Sequence, residues 1–366
     1  MSRTAVAILS TENLLHNVRR IKELVGQAKI IAMVKANAYG HGLRSVSLRL
    51  DRHISMLGVA SIDEAISLRK VGVKADILLL EGVFEPSELI TASVEGFHVV
   101  FHNEEQIGWL EKFSCPLPLK AWVKLNTGMG RLGFSLQDAD RFHLALSRHS
   151  RVVKPLRIIS HFACAEDFDH ELNEKQRLAF KTFVSSKEGE FSLCNSAGIF
   201  NFSDSYYDYV RPGIAIYGVS PLKHKTGEEL GLKPVMTLQT SIIAAHNMLA
   251  GSSIGYGARY CCREDMLVGV VAFGYGDGYP ATIEDGAPVL VNGKRCPIVG
   301  RVSMDMLTID LRPCFGDVRV GDSVTLWGEG LPIEHVAECF SGSRWSMLTG
   351  VQNRVKFLWT AMSKDG

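Results

Sequence analysis

No apolar stretch in this chain approaches the roughly 18 residues that cross a bilayer, and the opening Met1-Ser2-Arg3-Thr4-Ala5-Val6 holds no hydrophobic segment of signal-peptide length. The cytoplasm is therefore the expected compartment. Charge of one sign is missing as well, since 40 basic residues stand against 39 acidic ones for a formal net charge of +1. That balance gives no electrostatic footprint for nucleic acid or an anionic membrane. The eight cysteines include no C-x-x-C pair, only the neighbours Cys261 and Cys262, so reduced thiols are expected rather than a metal site or a redox dithiol. Low-complexity tracts and long charge runs are also lacking. What remains is a globular composition, and 366 residues exceed what one core usually supports, so two domains are expected.

The central stretch runs from Ile30 through Val34 as a continuous apolar segment and ends in Lys35-Ala36-Asn37-Ala38-Tyr39-Gly40-His41-Gly42. Such a run reads as a strand buried on both faces, the habit of a parallel sheet. An amine at the carboxyl end of that strand stands where α/β folds place their chemistry, and partial burial lowers its pKa toward use as a nucleophile or base. Lys35 is thus a candidate Schiff-base lysine. A strand-end lysine also snorkels into water, and the stretch alone leaves both readings open.

Around it the pattern alternates. Thr4 to Leu9 is strand-like, and Ser10 or Thr11 caps a helix carrying Leu14, Val18, Ile21 and Val25 that Gly26 ends. Strand Met56 to Ala60 precedes a helix opened by a capping box of Ser61 and Glu64 and stopped near Gly72. Ile77 to Leu80 precedes a helix near Pro86, Val99 to Phe101 one capped by Asn103, and Leu119 to Leu125 one through Phe142 and Leu146. Leu156 to His161 precedes a helix from Lys175 to Val184, Phe191 to Asn195 a short helical turn, and Tyr209 to Ile216 closes the series. Eight βα units in this length fit a closed (β/α)8 barrel better than an open sheet of five or six strands.

Beyond about Leu230 the period changes. Met236 to Ala245, Leu267 to Phe273, Val289 to Val291 and Val324 to Trp327 follow one another without long helical stretches, and Asn292-Gly293 is a hairpin signal. The expected organisation is a barrel over residues 11–230 and a mostly β domain over 231–366, which the strand at 1–10 joins, with the junction in Lys223 to Gly231.

Several polar groups follow directly on barrel strand ends: Lys35 with Tyr39, Lys124 with Arg131, His161, Asn195 with Ser196, and Arg211. The loop Thr127-Gly128-Met129-Gly130-Arg131 lets backbone approach a ligand and presents a guanidinium suited to carboxylate or phosphate. Ser196-Ala197-Gly198 and Arg211-Pro212-Gly213-Ile214 follow the seventh and eighth strands, the usual barrel phosphate position. Singly, each has an ordinary structural explanation: a core histidine, a helix cap, an arginine paired at the surface. Together at one end of a barrel they point to a site.

Eight segments carry a family resemblance: Val34 to Gly42, Lys124 to Gly133, Ser160 to Ala163, Asn195 to Ala197, Val210 to Gly218, Gly255-Tyr256-Gly257, Gly274-Tyr275-Gly276-Asp277-Gly278 and Gly300-Arg301-Val302-Ser303-Met304-Asp305. Collinear over nearly the whole chain, they resemble the signatures of bacterial alanine racemases. The resemblance implies a pyridoxal 5'-phosphate enzyme with a barrel and a β domain, a homodimer whose sites are shared between subunits, making D-alanine for peptidoglycan. It implies that Lys35 binds the cofactor and acts as one base, with Tyr256 of a second subunit as the other. Tyr39, Ser196, Gly213 and Ile214 would take the phosphate, Arg211 the pyridine nitrogen, and His161 would assist Tyr256 and border the cofactor. Arg131 and the Met304 backbone would receive the substrate carboxylate, Tyr275 would narrow the entry, and Lys124 and Asp305 would support them, the lysine as a carbamate in many relatives.

Three departures stand out against the family pattern, one of them Lys356 where a proline usually follows the Arg-Val pair. Asn353 precedes Arg354-Val355 where a tyrosine is frequent, and Trp345-Ser346 replaces a Tyr-Glu pair; both bear on phosphate affinity more than on reaction type. Alternatives are a broader amino-acid or serine racemase, a fold-related basic-amino-acid decarboxylase whose acidic and cysteine motifs are not seen here, and a non-catalytic single-barrel cofactor carrier, whose members lack the β domain.

Overall fold

A computed structural model describes residues 4–112 and 115–360. The first three and last six residues of the expected second domain lie outside it. The chain divides into two compact units: Val18–Ile216 with Pro221–His224, and the remainder, made of residues up to Asn17, Tyr217–Ser220 and those from Lys225 on.

The first unit is the expected barrel. After strand β1 (Val6–Ser10) come β2 (Lys29–Met33), β3 (Met56–Val59), β4 (Asp76–Leu79), β5 (His98–Phe101), β6 (Lys120–Lys124), β7 (Arg157–Ile159), β8 (Glu190–Asn195) and β9 (Tyr209–Arg211). β2 to β9 pair in parallel, and β9 returns to β2 to close the ring. Ile31, Met33, Met56, Leu78, Val100, Trp122, Ile159 and Tyr209 fill its interior as one apolar cluster, which is why these strands read as near-continuous hydrophobic runs. At the amino-terminal end Trp122 donates its Nε1 proton to His98 Nδ1 (3.1 Å), and Lys120 pairs with Asp76 (2.7 Å).

The helix signals hold with local corrections. Ser10 Oγ accepts from Asn13 N (3.1 Å), Asn103 Oδ1 from Gln106 N (2.9 Å), and Pro86 opens its helix, where a missing N–H costs nothing. The helix expected from Lys175 begins at Glu171, because the His170 ring accepts from Leu172 N and supplies a cap that composition does not advertise. The strand expected to reach Ile216 stops at Arg211, since Pro212 cannot donate to a ladder, and Ile214–Tyr217 is a 3-10 turn. The capping box at Ser61 and Glu64 is only half formed: Ser61 Oγ accepts from Glu64 N (3.4 Å), but the carboxylate bonds elsewhere.

In the second unit β10 (Met236–Met248) is the long central strand, followed by β11 (Ser253–Ile254), β12 (Tyr260–Cys261), β13 (Met266–Val271), β14 (Pro288–Val291), β15 (Lys294–Pro297), β16 (Leu307–Asp310), β17 (Ser323–Trp327) and β18 (Lys356–Thr360). The sheet runs β15-β14-β17-β10-β1-β18, with β13 and β16 continuing from β10. β1 sits between β10 and β18, antiparallel to one and parallel to the other. The β14–β15 hairpin turns at Asn292 and Gly293, both at positive φ (50° and 79°), the conformation a two-residue turn requires.

Candidate active site

The chain leaves β2 in an uncommon conformation. Ala36, Asn37, Ala38 and Tyr39 all have φ between 52° and 54°, forming one left-handed helical turn that begins at Lys35. L-residues avoid this region at a cost on the order of 1–2 kcal/mol each, so the surroundings must hold it. Ala36 N donates to Glu64 Oε1 (2.9 Å), Asn37 Oδ1 accepts from Leu43 N (2.8 Å), and His41 Nδ1 donates to the carbonyls of Tyr39 (2.9 Å) and Ala38 (3.2 Å). Burial pushes His41 down to about 4, so its ring is neutral and its one N–H serves this turn. Burial pushes the Tyr39 phenol up to about 12, which keeps it a protonated donor.

Opposite that hydroxyl lies Gly213. A Cβ added there would stand 2.2 Å from Tyr39 Oη, so only glycine fits beneath the phenol. Gly213 N donates to Ser196 Oγ (2.8 Å), and Ala215 N approaches the same oxygen (3.4 Å). Ser196 opens a short helix whose cap, Asn195, accepts from Gly198 N (3.0 Å). Phenol, hydroxyl and backbone N–H groups thus surround one glycine, the donor set of a phosphate cradle. Ile214 is buried beside it.

Arg211, 2 % exposed, ends β9. Its guanidinium donates to Ser192 Oγ (2.5 Å), the Leu193 carbonyl (3.1 Å), the Ser160 carbonyl, and His161 Nδ1 (3.2 Å). A register shift between Ser192 and Asn195 in the β8–β9 ladder disrupts pairing locally, as bulges beside active sites do. Burial lowers Arg211 to about 10, still charged at neutral pH. A donor group thus stands at each ring nitrogen of His161, the guanidinium at Nδ1 and Asn195 Nδ2 at Nε2 (3.3 Å). Burial, then the charges of Arg211, Lys124, Arg131 and Lys35, hold this histidine well below the usual range.

Lys124 ends β6 and is 9 % exposed; burial, with Arg211, Arg131 and Lys35 repelling its charge, lowers it to about 7. Every charge acting on it is positive, so the site's electrostatic complement is an anion. Arg131 is exposed and makes no ion pair among the described residues. Asn126 Oδ1 accepts from Gly128 N (3.1 Å) and Gly130 N (3.0 Å), folding the loop that carries it.

The second unit contains the other candidates. Tyr256 is 68 % exposed, and Tyr275 and Met304 are also exposed. Gly276 N donates to the Met304 carbonyl (2.8 Å), Tyr275 N to that of Ser303 (3.0 Å), and Arg354 binds both the buried Asp277 (2.6 Å) and Asp305. Arg354 and Glu64 are not candidates from sequence. The arginine figures there only as the landmark after Asn353, and the spacing Ser61-x-x-Glu64 presents the glutamate as part of a helix cap. Asn353 is exposed, and at the Trp345-Ser346 departure Ser346 forms a capping box with Ser343.

A β/α barrel joined to a β domain, with lysine, arginine and histidine at the barrel's strand ends, sets the class. The comparisons narrow it. The alanine racemase N-terminal domain model matches residues 9–221 and the alanine racemase C-terminal domain model residues 235–359. The biosynthetic alanine racemase of Escherichia coli strain K12 is 44% identical over 354 residues, 96% of this chain and 98% of that protein. The biosynthetic alanine racemase structure from Pseudomonas aeruginosa superposes with a TM-score of 0.95 at 39% identity, covering 98% of this chain and 100% of that one. The Bartonella henselae alanine racemase structure, with covalently bound pyridoxal phosphate, gives 0.87 at 30% identity over 98% and 99%. This chain belongs to the alanine racemase family.

Proposed function

We infer that this protein is a pyridoxal-phosphate-dependent racemase that interconverts L- and D-alanine. The observation that carries the reading is the cradle of Tyr39, Gly213 and Ser196 in a barrel whose charges on Lys124 are all positive. It has the shape and donors for a phosphate, and the cations for two anionic groups.

In this reading Lys35 would bind the cofactor covalently, Tyr39, Ser196, Gly213 and Ile214 would hold its phosphate, and Arg211 would face its ring nitrogen. When bound, the cofactor withdraws electron density from the substrate's Cα and makes that proton removable. This chain's residues supply the rest. Arg131 and the Met304 backbone N–H grip the substrate carboxylate, fixing which faces of Cα are presented. Inversion needs a proton carrier on each face: Lys35 Nζ on one, and Tyr256 Oη from a second copy on the other. The neutral His161 ring would share a hydrogen bond with the Tyr256 oxygen and ease its deprotonation. Tyr275 narrows the entry, and Asp305 holds the Met304 segment through Arg354. Lys124, half neutral near pH 7, has the free amine that adds to carbon dioxide, and the resulting carbamate would offset the cations around it and brace Arg131. The working assembly is a homodimer, and its D-alanine feeds peptidoglycan in the cytoplasm; among the described residues no helix is long and apolar enough to cross a membrane.

The test is incubation of purified protein with L-alanine, L-serine and L-lysine in heavy water, following optical rotation and deuterium at Cα. Loss of rotation with deuterium uptake for alanine supports the reading, and retention of both rotation and protium at Cα ends it. Tyr256→Phe should abolish abstraction from one enantiomer while the cofactor still binds; full activity toward both would remove the phenol from the mechanism.

A further inference from the structure

The sequence Ser61-x-x-Glu64 has the form of a capping box, in which the glutamate would bond the backbone N–H of Ser61. Its carboxylate instead reaches Ala60 N through Oε2 (2.9 Å) and Ala36 N, 28 residues away, through Oε1 (2.9 Å). Ala60 directly follows β3, and Ala36 is the first residue of the left-handed turn that follows β2. One carboxylate therefore ties the ends of two neighbouring barrel strands by their main chains, at the position where φ turns positive. Of the four side chains only that of Asn37 belongs to a type that accepts this hand of turn, and Ala36, Ala38 and Tyr39 disfavour it. The turn has Lys35 at one end and at the other Tyr39, whose hydroxyl stands over Gly213.

We propose that Glu64 is a positioning residue for the cofactor-binding lysine, its carboxylate locking the left-handed Lys35–Tyr39 turn so that amine and phenol meet the same bound molecule. This rests on the cofactor reading above. Helix capping is then the task of Ser61, and the two functions are separable by mutation.

The test compares Glu64→Gln with Ser61→Ala in the full-length protein. The glutamine keeps the size of the side chain but has one acceptor oxygen for two N–H groups, and its NH2 group opposes the other. Loss of one charge-assisted hydrogen bond should weaken pyridoxal phosphate binding by about tenfold or more, read from the visible absorbance of the lysine-bound cofactor. At saturating cofactor, kcat should fall comparably, while KM for alanine changes by less than about twofold, since Arg131 lies on another loop. Amide hydrogen exchange over residues 34–42 should quicken with the rest of the barrel unchanged. Ser61→Ala should lower the thermal midpoint yet leave cofactor affinity and exchange over 34–42 as in the parent. If Glu64→Gln does not fold, Glu64→Asp, which keeps the charge but falls short of bridging both N–H groups, should show the same direction of change. Parental cofactor affinity and exchange in a folded Glu64 variant overturn the proposal, as do equal losses in Ser61→Ala. An unsubstituted protein that never binds the cofactor defeats the earlier reading instead, and the exchange comparison still decides the turn.

Discussion

Arg211 donates to Nδ1 of His161 across 3.2 Å, and together with burial this contact holds the histidine neutral. A permanent cation beside the ring opposes its protonation. On the proposed reading the same guanidinium would stand at the cofactor's ring nitrogen, where it would disfavour protonation and limit how far charge spreads from Cα. Arg211→Glu should therefore raise transamination relative to racemisation, measured as pyruvate formed per turnover of alanine. An unchanged ratio would remove this account.

Lys124 offers a case in which stability and function part. The unfolded chain holds that proton up to about pH 10.5, the folded chain only to about 7. Folding is penalised in full at and below pH 7, by something on the order of 4 kcal/mol, and the penalty fades as pH rises toward 10.5. In cofactor-free protein in carbon-dioxide-free buffer, Lys124→Met should raise the melting temperature at pH 7, and the gain should shrink by pH 10. Activity should fall in the same variant. Melting curves across that range check both the sign and the window.

Gly213→Ala places a methyl group 2.2 Å from the Tyr39 hydroxyl, so the phenol must move out of the cradle. We expect a folded protein whose cofactor affinity drops at least about tenfold, by absorbance titration. Parental affinity would mean that the cradle is not the phosphate site.

Arg354→Ala strips the buried Asp277 of its ion pair and frees Asp305 from the same guanidinium. Removing one partner of a pair whose carboxylate is fully buried lowers stability, and solvent at the arginine end moderates the loss. The Tyr275 and Met304 segments lose a common anchor, so KM for alanine should rise more than kcat falls. Urea unfolding and steady-state kinetics separate the two effects.

What could be read from the chain alone was whatever depends on local pattern. The apolar runs gave the eight barrel strands because strands buried on both faces have no choice but to be hydrophobic, and Asn292-Gly293 gave its hairpin because few residues accept positive φ. Lys35, Lys124, His161 and Arg211 could be grouped because strand ends in a barrel share one face. The tertiary structure alone decided the rest, where the controlling partner is remote. The left-handed turn after Lys35 is tied at Ala36 to a carboxylate 28 residues later, and His161 is kept neutral by burial beside a guanidinium 50 residues on. The near-neutral amine of Lys124 comes from burial among cations, one from its own loop and two from other segments. Sequence spacing encodes which backbone conformations and faces are cheap; desolvation and charge at a point depend on everything that folding brings there.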